Sequence, residues 1–274
     1  MNLYQLDIKK YMDDNKIEWW QPSKNGNFIS EKSQVPTHKL SSQVACLNHL
    51  FAIRNNPSAV LSLIQTIGTP LGVHFDSVLQ SFNNDVEKGY ITFEFVYNNI
   101  ELLREKHETR GKKCTSVDAL IYAKAGNEYW LIPIEWKYTE AYDTAGFEWN
   151  FDRYHKCFSS KSRLKIWNDL FRRNPFYELG RQTLLMEKII ESKKIKADHF
   201  LHLIVVPKGN IEMREDVQKF KESLKIDAQK YCQCIDPREL FTPLTKIVDE
   251  NDTRFPELVE VKDLITYLKA RYWE

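Results

Sequence analysis

A mixed α/β domain is what this sequence predicts, and three observations predict it. Apolar residues recur at helical spacing through the first third of the chain. The pattern then switches to alternation over three segments between residues 91 and 138. One long helical segment after these leads into a β-branched run at 199–207. The expected order is helices, three strands, a helix, a strand and further helices.

Each element has its own signal. Residues 1–39 are polar, with Trp19 and Trp20 adjacent, and read as an N-terminal arm. From Ser41, apolar residues at 44, 47, 50 and 51 follow a serine start signal, which predicts a helix. "PSAVLSLIQTI" predicts a second helix and "FDSVLQSFNNDV" a third. "ITFEFVYN" alternates, so Ile91, Phe93, Phe95 and Tyr97 are expected on one face and Thr92, Glu94 and Val96 on the other. "SVDALIYA", the Gly-containing turn "KAGNE" and "YWLIPIEWKY" then predict a hairpin that completes an antiparallel meander. In "NPFYELGRQTLLMEKIIES", Asn174 is the expected N-cap and Pro175 the first helical residue. "HFLHLIVVP" is expected to be a buried strand, followed by an amphipathic helix near 212–224, an acidic loop near 248–257 and a closing helix.

Bulk properties exclude more than they assign. The 274 residues are 42% hydrophobic, 13% aromatic and 28% charged, with a formal net charge of +1. No global basic field demands nucleic acid, so local patches must carry that case. No apolar run approaches the roughly 20 residues of a membrane helix, and the start of the chain is charged throughout. The expectation is a soluble cytoplasmic protein. Five cysteines include only one close pair, Cys232 and Cys234, a poor zinc signature. His199 and His202 lie three apart in one expected strand, face opposite sides and cannot share a metal.

The chemistry concentrates in "LIPIEWKYTE", residues 131–140. Side chains alternate along a strand, so Glu135 and Lys137 share a face about 7 Å apart, with Ile132, Ile134 and Trp136 on the other. A hairpin turning at 125–127 brings Asp118 beside Glu135. Two carboxylates so close repel unless a cation lies between them, and a hard divalent ion such as Mg²⁺ suits carboxylate and water ligands. An adjacent ammonium steadies an oxyanion or the attacking water. The competing explanation is a buried Glu–Lys pair that only stabilises the sheet, and such pairs seldom gain much stability.

Asp118, a gap of sixteen residues, then Glu135-x-Lys137 on a β-hairpin, in this order of elements, resembles the PD-(D/E)xK nuclease superfamily. More narrowly, the "IEWKYTE" text is similar to a bacterial group of restriction-endonuclease-like proteins. The resemblance implies an αβββαβ core over residues 40–210, a central mixed sheet flanked by helices. A C-terminal helical extension, 211–274, completes the single expected domain, 1–274. It implies a Mg²⁺-dependent nuclease, with Mn²⁺ as substitute, acting on nucleic acid, expected to be DNA, with a homodimer among the assemblies such nucleases form. Asp118, Glu135 and the Trp136 carbonyl would hold the metal and Lys137 would assist the water. Glu94 is the candidate supporting acid, while Gln43 and Asn48 stand where a helix-borne acid is often found. Gln182 would join the site from the later helix, and Arg181, Lys112 and Lys113 would contact nucleic acid. Basic clusters at 104–113, 159–165 and Arg172–Arg173, and the aromatic row Phe147, Phe151, Tyr154 and Phe158, are further candidates for such contact. Two departures stand out: Val117 replaces the family's proline, and Pro133 interrupts the proposed catalytic strand. The alternative function is a non-catalytic module that keeps the fold and binds nucleic acid or protein.

Overall fold

A computed structural model describes residues 5–22, 28–31, 41–82, 85–97, 102–105, 114–139, 151–250 and 258–273. The chain opens with helix α1 (Gln5–Asp14) and a small hairpin of β1 (Trp19–Pro22) and β2 (Phe28–Glu31). Helix α2 (Ser42–Leu50) begins where its text predicts, because the Ser41 side chain accepts the Val44 N–H; all nine of its residues are buried. Asn56 caps α3 (Pro57–Gly68) in the same way, with proline at the first position.

The third expected helix is not formed. Residues 77–79 are instead the short strand β3 (Ser77–Leu79), paired antiparallel with the strand that carries Asp118. Asp76 fixes this arrangement: its N–H donates to the Lys124 carbonyl and its carboxylate accepts the Gly126 N–H of the hairpin turn.

The expected meander follows as β4 (Ile91–Phe95), β5 (Val117–Ala125) and β6 (Glu128–Trp136). After the short α4 (Phe151–His155) comes α5 (Phe176–Ser192), then β7 (His199–Phe200) and β8 (His202–Val205), both parallel to β6. Helix α5 starts one residue later than predicted. Pro175 occupies the cap position after a cis Asn174–Pro175 bond, and the Asn174 side chain caps nothing. Beyond α6 (Ile211–Ser223) lies a strand that the C-terminal reading lacked, β9 (Cys232–Ile235), parallel to β8. Helices α7 (Pro237–Leu240), α8 (Thr242–Asp249) and α9 (Leu258–Leu268), with a terminal π-turn Lys269–Trp273, complete the described chain.

Together β3 to β9 make one mixed sheet of seven strands, ordered β3-β5-β6-β8-β9, with β4 also on β5 and β7 also on β6. Helices cover both faces. Residues of α1, α2, α3, α8 and α9 form one core with Ile121, Ile134 and Trp136; residues of α4, α5 and α6 form another with Leu120, Leu131 and Ile204. This is the mixed α/β architecture that the change of period predicts, with a sheet buried on both faces.

Pro133 is accommodated at the cost of a break in the neighbouring strand. On the parallel side of β6, Leu201 N–H donates to the Leu131 carbonyl and Lys137 N–H to the Val205 carbonyl, each at 2.9 Å. The same offset would send a donor from residue 133 to the Leu201 carbonyl, and proline has none. The facing strand divides at that residue into β7 and β8.

Candidate active site

Three features of the sheet converge at the end of β6. The antiparallel ladder with β5 runs from Ala125↔Glu128 to Ala119↔Ile134 and stops there, although β6 continues to Trp136. The Trp136 N–H donates to Asp118 Oδ2 at 2.6 Å, so a carboxylate takes the place of a ladder acceptor. The N–H and C=O of one strand residue face the same neighbour, which puts the Trp136 carbonyl on the Asp118 side as well. The indole itself lies on the opposite face, 4.7 Å from the His49 ring, and anchors the strand.

Glu94 departs from the alternation expected of its strand. Its φ of 46° is in the left-handed region, which costs a non-glycine residue on the order of 1–3 kcal/mol. The flip reverses the faces beyond it: Phe93 packs in the first core, whereas Phe95 and its partner Val117 pack in the second. Because Phe93 pairs with Ala119 and Phe95 with Val117, Glu94 comes opposite Asp118. The Gln43 side chain of α2 donates to Glu94 Oε1 at 2.8 Å, so the first core helix contributes an amide where an acid was sought. Gln43, Cys46, Phe93, Glu94 and Asp118 line one narrow crevice.

On the other side, Glu135 and Lys137 share a face as their spacing predicts, and α5 closes over them. Lys137 Nζ lies 2.6 Å from Glu135 Oε1 and 2.6 Å from Glu178 Oε2. Gln182 donates to Glu135 Oε2 at 2.6 Å and to the Ser116 carbonyl at 2.9 Å, and its Oε1 is 3.1 Å from His202 Nε2. With both amide hydrogens committed, Oε1 must accept, so His202 is the Nε2–H tautomer. Glu135, Lys137 and Gln182 are almost fully buried; Asp118 and Glu178 are half-buried and mark where the site opens.

The electrostatics are those of excess negative charge. Burial raises the Asp118 carboxyl well above the usual range, and Glu135 and Glu94 raise it further. Burial pushes Glu135 up to about 7, helped by Glu178 and opposed by Lys137 and Gln182. Burial also acts on Glu178, but the charge and hydrogen bond of Lys137 outweigh it and hold that carboxyl below its usual value. Burial takes His202 down to about 3, which keeps it neutral.

Such a donor set fits a hard divalent ion. Glu135 Oε1 meets Lys137 and Oε2 meets Gln182, a carboxylate oxygen has two lone pairs, and Asp118 accepts from the Trp136 N–H. Among the described residues no three His, Cys, Asp or Glu side chains group as a metal cage.

Of the residues predicted from sequence, Asp118, Glu135, Trp136, Lys137, Gln182 and Glu94 stand together here. Arg181 lies behind them, its guanidinium 4.7 Å from the Tyr177 ring and 5.6 Å from that of Tyr154. Asn48 is elsewhere, donating to the Tyr272 hydroxyl. Lys112, Lys113 and Phe147 lie outside the described residues. Tyr154 and Phe151 are core residues; Arg163 packs 3.6 Å from the Phe200 ring and Arg172 4.0 Å from that of Phe151. Glu178 and His202 are the site members that sequence reasoning missed. Glu178 had a signal: it precedes Gln182 by four residues and therefore shares its helix face.

The seven-stranded mixed sheet and its flanking helices are those of an α/β protein, consistent with a restriction-endonuclease-like fold. The chain belongs to the family described as Restriction Endonuclease associating with ARP, whose profile it matches over residues 3–273. That membership implies a nuclease-like role with nucleic acid as substrate. No curated protein and no solved structure matches the chain. No helix among the described residues is long and apolar enough to cross a membrane.

Proposed function

We propose that the protein is a metal-dependent DNA endonuclease of the PD-(D/E)xK type. The observation that carries this reading is the end of β6. There Asp118 has replaced a ladder acceptor, and Glu135 and Lys137 are held at 2.6 Å on one buried face. Asp118, Glu135 and the Trp136 carbonyl would hold a Mg²⁺ ion, with Mn²⁺ as substitute. When bound, the ion would lower the pKa of a coordinated water and polarise a phosphoryl oxygen.

The chain's own groups then have distinct tasks. Lys137 presents its ammonium to the developing charge on the phosphoryl oxygens and to the attacking water. As water oxygen bonds to phosphorus, the bond to the leaving sugar oxygen breaks; the water gives its proton to solvent and the leaving oxygen takes one from solvent. Glu178 holds the Lys137 ammonium from the open side, and Gln182 fixes Glu135. Gln43 orients Glu94, the supporting acid behind Asp118.

The test is cleavage of plasmid, linear and single-stranded DNA in Mg²⁺ or Mn²⁺, beside Asp118→Ala and Lys137→Ala. Activity should be lost in both variants and in EDTA. Cleavage that survives the two substitutions, or the chelator, refutes this site.

A further inference from the structure

Next to the acidic site the structure has a pocket that the chemistry above does not use. Its cavity is about 290 Å³. Three parallel strands, β6, β8 and β9, end at it, and the residues just beyond each strand line it: Tyr138, Lys208 and Arg238. The crevice beyond the carboxyl ends of parallel strands is where open α/β sheets bind ligands. The far wall is aromatic, from Tyr272 and Trp273 of the terminal turn, with His49 of α2.

Two features say what would enter. The first is a set of rings without a shared stack. Tyr138 and Tyr272 meet edge to face at 5.5 Å, and His49 lies 4.8 Å from Tyr272 and 6.1 Å from Trp273. The second is a pair of orphaned polar atoms. His49 is fully buried, and its Nδ1 is held by the Ala45 carbonyl at 2.7 Å. Its Nε2 is therefore an acceptor, and it has no partner. The Trp273 Nε1–H is a buried donor, also without a partner. Both residues line the cavity, so a ligand there would offer each of these atoms a group of opposite kind.

Charge at the floor is balanced in number, Lys208 and Arg238 against Asp236 and Glu239. Asp236 accepts the Lys208 and Arg238 backbone N–H groups, and Lys208 Nζ pairs with Glu239 at 2.8 Å. A neutral planar heterocycle with a donor and an acceptor on one edge suits this pocket better than a phosphate. Tyr138 directly follows Lys137 but packs with the first core, on the face of the sheet opposite the ammonium.

We infer that the pocket receives one unstacked nucleobase of the bound strand, stacked on its tyrosines and bonded through His49 and Trp273. This rests on the nuclease reading for the strand's presence, but it has its own readout. Full-length protein in EDTA is titrated with dAMP, dCMP, dGMP and TMP, with 2-deoxyribose 5-phosphate as the base-free control, and tryptophan fluorescence is followed. The nucleotides should quench saturably and the sugar phosphate should not, and Trp273→Phe should abolish the quenching. Base stacking on an aromatic ring predicts a loss of at least about fivefold in nucleotide affinity in Tyr138→Ala. The same variant should raise KM for DNA cleavage while kcat holds, and Tyr138→Phe should restore KM. Equal binding of sugar phosphate overturns the proposal, as does a Tyr138→Ala variant with unchanged KM and unchanged affinity. Absence of DNA cleavage by the wild type in Mg²⁺ or Mn²⁺ would sink the nuclease reading alone, because the titration contains no metal and no reaction.

Discussion

The Glu135 carboxyl makes the acidity of the site measurable as stability. Its pKa rises from 4.5 to about 7 on folding, chiefly by burial. Between those values the folded protein binds more protons than the unfolded chain, so stability falls as pH rises through the window. From pH 5 to pH 8 the loss is about 2–3 kcal/mol for this group. Glu178 is shifted downward, so its contribution changes only at lower pH. His49 and His202 act the other way: both are held near 3 by burial, so the folded state loses stability as pH falls below about 6.5. The quantity to measure is therefore a difference, wild type against Glu135→Gln, by urea unfolding in EDTA at steps from pH 5 to pH 8. The variant should gain about 2–3 kcal/mol on the wild type across that range, roughly 4–12 °C in Tm for a chain of this size. Excess Mg²⁺ should stabilise the wild type at pH 8 by about 2.7 kcal/mol at a hundred times its Kd, and much less at pH 5. Parallel curves for the two proteins would show that Glu135 is not held under charge stress.

Other perturbations address the scaffold around that group. Gln182→Leu leaves Glu135, the Ser116 carbonyl and His202 each short of a partner and should cost about 2–4 kcal/mol in urea unfolding. Glu178→Gln removes one anchor of Lys137 and a charge that raises Glu135. It should lower kcat about 10- to 100-fold and move the acid limb of the pH–rate profile downward; an unmoved limb would deny the coupling. Gly180→Ala would place a Cβ 2.6 Å from Phe171 and 2.8 Å from Trp167, rings that stack at 4.6 Å. Overpacking there should cost about 1–3 kcal/mol by thermal unfolding and weaken cleavage by displacing α5.

Where the text carried the answer, local rules agreed with the tertiary context. Ser41 and Asn56 cap their helices because a side-chain oxygen three residues before an orphan N–H needs no distant partner. The Asp118–Glu135 approach was legible because hairpin register follows from the turn. What sequence could not show was set at a distance. Residues 77–79 leave the helical pattern because β5 offers a free edge, and β9 forms on a stretch too short and polar to declare itself. Glu94 reads as a regular strand residue, and nothing in "ITFEF" announces a positive φ. Arg181 and Arg163 looked like surface cations until aromatic rings of other elements enclosed them.

These departures from local rule gather at one place. The ladder ends early at Ala119↔Ile134, Glu94 holds a strained backbone, Pro133 removes a donor on the parallel side, and two carboxylates stand above their usual pKa. A sheet selected for stability alone would have none of them, since each costs on the order of a kcal/mol or more. Glu–Lys pairing by itself would need neither a splayed ladder nor a second and third acid beside it. Sites that violate local rules and are supported by well-packed surroundings are where function is expected. The fully buried α2 and the stacked Trp167–Phe171 pair beneath Gly180 supply that support, holding Gln43 and Gln182 against the strained acids from opposite faces of the sheet.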